Sequence, residues 1–116
     1  MTIQRIDVSK RLSEAVIHGD TVYLCGQVAD SLEGDIADQT REVLANIDKM
    51  LARAGSDKSK LLSATVYLKS IADYRAMNEI WDRWTAPDAA PARTCIGGAD
   101  LFSPAALVEI TVTAAR

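Results

Sequence analysis

Two stretches of helical period, each set between β-rich runs, constrain this chain more than anything else in it. From Gly34 to Asp57, the residues Ile36, Val43, Leu44, Ile47, Met50, Leu51 and Ala54 recur at helical spacing. They form one apolar stripe of an amphipathic helix. Asp35 suits its N-cap and Gly55 its stop. Arg41, Glu42, Asp48, Lys49 and Arg53 mostly fall off the stripe and read as a solvated face. From Ser70 to Ala86 a second stripe joins Tyr74, Met77, Ile80, Trp81 and Trp84, with Ser70 or Asp73 as cap. Its aromatics read as core or subunit contact and not as a ligand cage.

Lys60 to Lys69, between the helices, alternates as a strand. Ala64, Val66 and Leu68 lie on one face, Thr65 and Tyr67 on the other. Glu14 to Val28 reads as a hairpin turning at His18-Gly19-Asp20, with a short strand over Ile3–Val8 before it. Ala92 to Gly98 and Leu107 to Ala115 read as two final strands joined by a loop through Leu101, Phe102, Ser103 and Pro104. Strand–helix–strand crossovers imply parallel pairing with right-handed connections, so both helices lie on one side of the sheet. The expected fold is one α/β (α+β) domain over residues 1–116, a mixed sheet of about six strands with two helices on one face. The opposite face is then open and expected to be apolar, too large a patch for a soluble monomer. A symmetric oligomer that buries it is expected.

The 116 residues suit one domain, and with 48% apolar and 25% charged residues the composition is that of an ordinary globular chain. The net charge is −3 with no basic block, which disfavours nucleic acid and anionic membranes as partners. No apolar run approaches a membrane span, and the N-terminal segment has no secretory pattern; a cytoplasmic location is expected. A reducing cytosol disfavours a structural disulfide between Cys25 and Cys95, the spacing and number of ligands do not suit zinc, and no Gly-rich phosphate loop is present. No cofactor is expected.

The stretch "PARTCIGGAD" places a permanent cation in a strand. Arg93, Cys95 and Gly97 alternate with Ala92, Thr94 and Ile96. In the last strand Val108, Ile110, Val112 and Ala114 oppose Leu107, Glu109, Thr111 and Thr113. With the apolar set on the helices, Arg93 and Glu109 would both face away from them. A hairpin pairing Gly97 with Leu107 would set Cys95 opposite Glu109 and Arg93 diagonal to it, within about 7–8 Å. A guanidinium stays charged and cannot be buried alone. Arg93 must therefore meet water, an ion pair with Glu109, or an anionic ligand. Cys95 reads first as a small buried hydrophobe, and His18 as an exposed turn residue.

Taken in order, "GDTVYLCGQV", "QTREVLANIDKMLARAGSDKSKLLSATVYL", "MNEIW", "PARTC" and "LVEI" resemble the RidA/YjgF family of imine and enamine deaminases, from about Ser13 to Ala114. The resemblance implies a chorismate-mutase-like fold and a homotrimer with ligand clefts between subunits. It implies hydrolysis of 2-aminoacrylate or 2-imino acids to 2-oxo acids and ammonia. On that resemblance Arg93 would clamp the substrate carboxylate and Glu109 would position or activate water. Cys95 would line the cleft, Gly26 would offer backbone contacts and Asn78 would support the wall. The rim departs from the family pattern: Leu12 stands where a tyrosine is usual, Cys25 replaces the serine before "GQ", and Thr111 replaces a second acidic residue. The loop through Pro104 is one residue longer. The readings that remain are an imine deaminase, a non-catalytic small-carboxylate binder acting as sensor or chaperone-like partner, and RNA cleavage. The acidic charge and the lack of a histidine pair disfavour the last.

Overall fold

The computed structural model describes all 116 residues. Strands β1 (Ile3–Val8), β2 (Ser13–His18) and β3 (Thr21–Leu24) form an antiparallel meander. His18 faces Thr21 across a two-residue turn in which Gly19 takes φ +60°. Helix α1 (Ile36–Arg53) follows, then β4 (Leu61–Leu68), α2 (Tyr74–Trp84), β5 (Ala92–Ile96) and β6 (Val108–Ala115). The sheet order is β1-β2-β3-β6-β4-β5.

Helix α1 begins where the Asp35 carboxylate accepts from the Asp38 N–H at 2.9 Å, and Gly55 at φ +80° follows its end. Its stripe buries Val43, Leu44, Ile47, Met50 and Leu51. Truncating Ile47 or Leu51 to alanine would cost about 2–5 kcal/mol by leaving a cavity. Ser70 caps the 3-10 turn Ile71–Asp73 by accepting from the Ala72 N–H, and α2 continues from it. Asp73 makes no capping bond. Both helices cover one sheet face, whose buried side chains include Ala64, Val66, Leu68, Val108, Ile110 and Val112.

Sequence reasoning misplaced the last two strands. β5 and β6 are not a hairpin: β4 lies between them, parallel to β5 and antiparallel to β6. Gly97 does not pair with Leu107, nor Cys95 with Glu109. The buried core explains the order. β6, apolar at every second residue, occupies a central position, whereas the shorter β5 takes the edge.

The open face also differs from expectation. Its rows read Glu109, Tyr67, Ile96; then Thr111, Thr65, Thr94; then Tyr23, Thr113, Ser63, Ala92. It is threonine-rich with scattered large side chains, more polar than the mostly apolar or small surface expected. β-branched threonine suits a pleated, half-wet face.

Candidate functional site

The β4–β5 register decides where Arg93 points. Arg93 is beside Ala64 and Cys95 beside Val66, so both share the helix-side face of those buried residues. Glu109 faces Tyr67 on the open side. Arg93 therefore does not face away from the helices, and an ion pair with Glu109 does not form within the chain. The two ion pairs present are Arg41–Asp38 and Arg53–Asp7.

Arg93 is half-buried against α2. Its Nη1 donates to Asn78 Oδ1 at 2.8 Å and its Nη2 to the Tyr74 hydroxyl at 3.3 Å. The guanidinium lies 5.1 Å from the Trp81 ring centre and 5.8 Å from that of Tyr74. Cation–π contacts and two neutral acceptors hold the group without neutralising it. A guanidinium has five N–H donors, so several remain for an anion. Tyr74, Asn78 and Trp81 lie four and three residues apart on one helix face. That spacing was readable in the sequence, where Tyr74 and Trp81 counted only as core or contact residues; here they form the shelf for Arg93.

Glu109, Gly26, Cys25 and Leu12 gather elsewhere. Gln27, 7% exposed, exchanges backbone hydrogen bonds with Ile110 at 2.8 and 3.1 Å. This bridge brings Gly26 against the Glu109 side chain, where a Cβ would collide with the carboxylate. Gly26, Tyr67, Leu101, Phe102, Glu109 and Thr111 line a cavity of about 430 Å3. A neighbouring cavity of about 370 Å3 also touches Gly26 and is lined by Leu12, Glu14, Cys25 and Asn46 among others. Sequence reasoning did not single out Glu14, Gln27, Tyr67 or Phe102. Glu14 and Tyr67 come into place through the β2–β3 and β4–β6 pairings, Gln27 through its bridge to Ile110, and Phe102 on the loop after β5.

The thiols are wall atoms. The Cys25 thiol donates to Glu14 at 3.2 Å, and burial, then this carboxylate, push its pKa up to about 12. Burial also raises the Cys95 thiol, an effect Arg93 partly offsets. Both stay protonated near neutrality, which does not suit a nucleophile. The two cysteines are free. His18 is exposed at the hairpin turn. No helix is long and apolar enough to cross a membrane.

The geometry thus offers two halves, a cation on the β5–α2 edge and a carboxylate with glycine on the open side, with the Cys25 thiol in an adjoining cavity that α1 also lines. The family described as Endoribonuclease L-PSP matches this chain over residues 2–116. The chain belongs to that family. A RutC family protein of Haemophilus ducreyi is 49% identical over 113 residues, covering 97% of this chain and 96% of its own. The RutC family protein YoaB of Escherichia coli is 44% identical over 115 residues, covering 99% of each. The crystal structure of NMB1025 from Neisseria meningitidis, a member of the YjgF family, superposes with a TM-score of 0.96. It is 41% identical, with 100% of this chain and 96% of that one covered. The mixed six-stranded sheet with two helices is therefore the family fold.

Proposed function

We propose that the protein hydrolyses reactive 2-imino acids or their enamine tautomers to 2-oxo acids and ammonia. The observation that carries this reading is a half-buried guanidinium, oriented by Asn78, Tyr74 and Trp81, with no carboxylate beside it. Such a group is suited to a bidentate contact with a substrate carboxylate. Water then adds to the imine carbon, the C=N bond becomes C–N, and the nitrogen departs as ammonia when the 2-oxo group forms. Glu109 takes a proton from the attacking water and passes it to the imine nitrogen, then carries the proton of the new hydroxyl to the same nitrogen as it leaves. Neither metal nor organic cofactor is required, because the imine carbon is already electrophilic. Positioning supplies much of the rate.

Arg93 and Glu109 project from opposite sheet faces. A substrate touching both is best served by two chains, Arg93 with Cys95 and Asn78 from one and Glu109 with Gly26, Cys25 and Leu12 from its neighbour. A homotrimer with three such clefts accommodates this arrangement. The free thiols suit a reducing, cytoplasmic setting. Leu12 brings no hydroxyl to the cavity it lines, which favours as second reading a non-catalytic member that binds small carboxylates. RNA cleavage, suggested by the family's description, finds little support in a chain of net charge −3 whose single histidine is an exposed turn residue.

An amino-acid oxidase supplies 2-imino acids in situ, and their decay is followed with and without the protein. The expected result is decay above the spontaneous rate, reduced about 10–100-fold in Arg93→Ala. Decay at the spontaneous rate for every imine would reject the enzyme in favour of the binding reading, which carboxylate titration would then measure.

A further inference from the structure

Helices α1 and α2 bound a groove of about 370 Å3 that no strand residue lines. Leu44 and Ile80, both core residues, close it below, and half-buried Trp84 supplies its apolar wall. The indole is fixed in place. Its Nε1 donates to the Asp48 carboxylate of α1 at 3.0 Å, and its ring packs on Trp81 with centres 5.5 Å apart. The Lys58 ammonium lies 5.4 Å from the Trp84 ring centre. Lys58 opens the 3-10 turn Lys58–Lys60, which Asp57 caps by accepting from the Ser59 N–H at 2.8 Å. The groove is therefore preformed, as small-molecule sites usually are.

Its charge runs against that of the chain. The net charge of the protein is −3, yet Arg41, Lys58 and Arg83 line the groove against a single carboxylate, Asp48. These cations come from three elements: α1, the 3-10 turn and α2. Asp38 offsets Arg41 at 3.2 Å. Lys58 and Arg83 form no ion pair, since the two pairs of the chain are Arg41–Asp38 and Arg53–Asp7. Asp48 is already engaged by the indole N–H. Two cations thus stand unpaired beside an aromatic wall, and their aliphatic stems extend the apolar surface.

We propose that the α1–α2 groove is a second ligand site, for a small carboxylate with an aromatic or apolar body. The body lies on Trp84 over Leu44 and Ile80, and the carboxylate accepts from Arg83 and Lys58. The groove shares no residue with the Arg93 shelf or with the cavities around Gly26. The proposal therefore stands or falls apart from the deaminase reading. Trp81 is the one side chain between the two regions, 5.5 Å from the Trp84 ring and 5.1 Å from the Arg93 guanidinium. Binding at Arg93 must accordingly be told apart from binding in the groove.

The Trp84 indole N–H reports the site directly in NMR, and Trp84→Phe assigns its signal against that of Trp81. The protein is titrated with 4-phenylbutanoate, butanoate and 4-phenylbutan-1-amine. The expected result is a saturable shift of the Trp84 signal with 4-phenylbutanoate. Butanoate, which lacks the ring, should bind at least about tenfold more weakly, and so should the amine, which reverses the charge. Arg83→Ala and Lys58→Ala should each weaken 4-phenylbutanoate about 3–10-fold, the range for exposed charged contacts. Both change wet surface side chains, and unaltered thermal midpoints verify the fold. Arg93→Ala should leave the affinity within about twofold. No saturable shift of the Trp84 signal overturns the proposal, and an equal response to the amine removes its electrostatic basis. Affinity lost in Arg93→Ala but kept in Arg83→Ala and Lys58→Ala places the carboxylate at Arg93 and overturns the proposal, while leaving the deaminase reading intact.

Discussion

The edge formed by β5 and α2 and the region around Gly26 and Glu109 handle charge in opposite ways. At the edge, Arg93 is held by a neutral amide, a phenol and two aromatic faces, and its charge stays available. Around Gly26, Glu109 has the backbone close against its carboxylate, while Glu14 binds a neighbouring thiol that it helps keep protonated. One region is built to receive an anion and the other to present a carboxylate. They lie on opposite faces of one sheet, so under the proposed function neither suffices alone. The difference teaches that opposite charges on strands consecutive in the chain need not form a salt bridge. Held apart, neither charge neutralises the other, which is what the proposed function needs.

The sharpest way to break this comparison is to disable each half separately. Glu109→Gln is expected to lower kcat by about 10²–10⁴, the usual worth of a general base. Arg93→Ala should lower kcat/KM by about 10–100-fold, the loss of a charge-assisted hydrogen bond, mainly through KM. Mixing the two impaired variants after reversible dissociation then asks whether the halves come from different chains. Roughly a quarter of the clefts would pair an intact Arg93 with an intact Glu109, and activity should return in that proportion. No return of activity, with subunit exchange verified by mass, would falsify the two-chain site.

Gly26→Ala tests the close approach on the Glu109 side. The new methyl must displace the carboxylate, and a misplacement near 1 Å can cost about 10²-fold in rate. Carboxylate binding should hardly change, since Arg93 lies elsewhere; a matching loss of affinity would join the halves into one. Asn78→Ala is milder. Arg93 loses its shortest hydrogen bond, and KM should rise by about 2–10-fold with kcat retained. A fall in kcat alone would remove Asn78 from the carboxylate-binding half.

The smallest effect concerns the thiol beside Glu14. The Cys25 pKa is raised from 9.0 to about 12 in the folded chain. The folded state thus binds more protons than the unfolded one in that window. The contribution is fully present below pH 9 and is lost as pH rises towards 12. The stability of wild type relative to Cys25→Ala should therefore shrink on going from about pH 8 to pH 11, read as a narrowing difference in thermal midpoints. Rapid alkylation of Cys25 at pH 8 would contradict the environment described.

Much of the fold was legible in the residues because its signals are local. The stripe from Ile36 to Leu51 has helical period, and Asp35 and Gly55 bracket it as caps do. The turn at Gly19-Asp20 and the strand alternation at Ala64–Leu68 are equally short-ranged. Arg93 was singled out from its strand and Asn78 only through the family resemblance; the structure brings them to 2.8 Å. Their separation from Glu109 was not legible. The supposed hairpin of β5 and β6 rested on nearness along the chain, whereas β6 gains more by entering the centre of the sheet, where Val108, Ile110, Val112 and Ala114 are all buried.

The chain by itself determined which segments become helix and strand, and which residues in each strand share a face. Those properties follow from periods of 3.6 and 2, carried by a few neighbouring residues. Only the tertiary structure decided which face each strand turns to the helices. That choice depends on register and on strand order, and a one-residue change would have moved Arg93 to the other side. The physical reason is that β pairing is a contact between distant residues, selected by the core it closes.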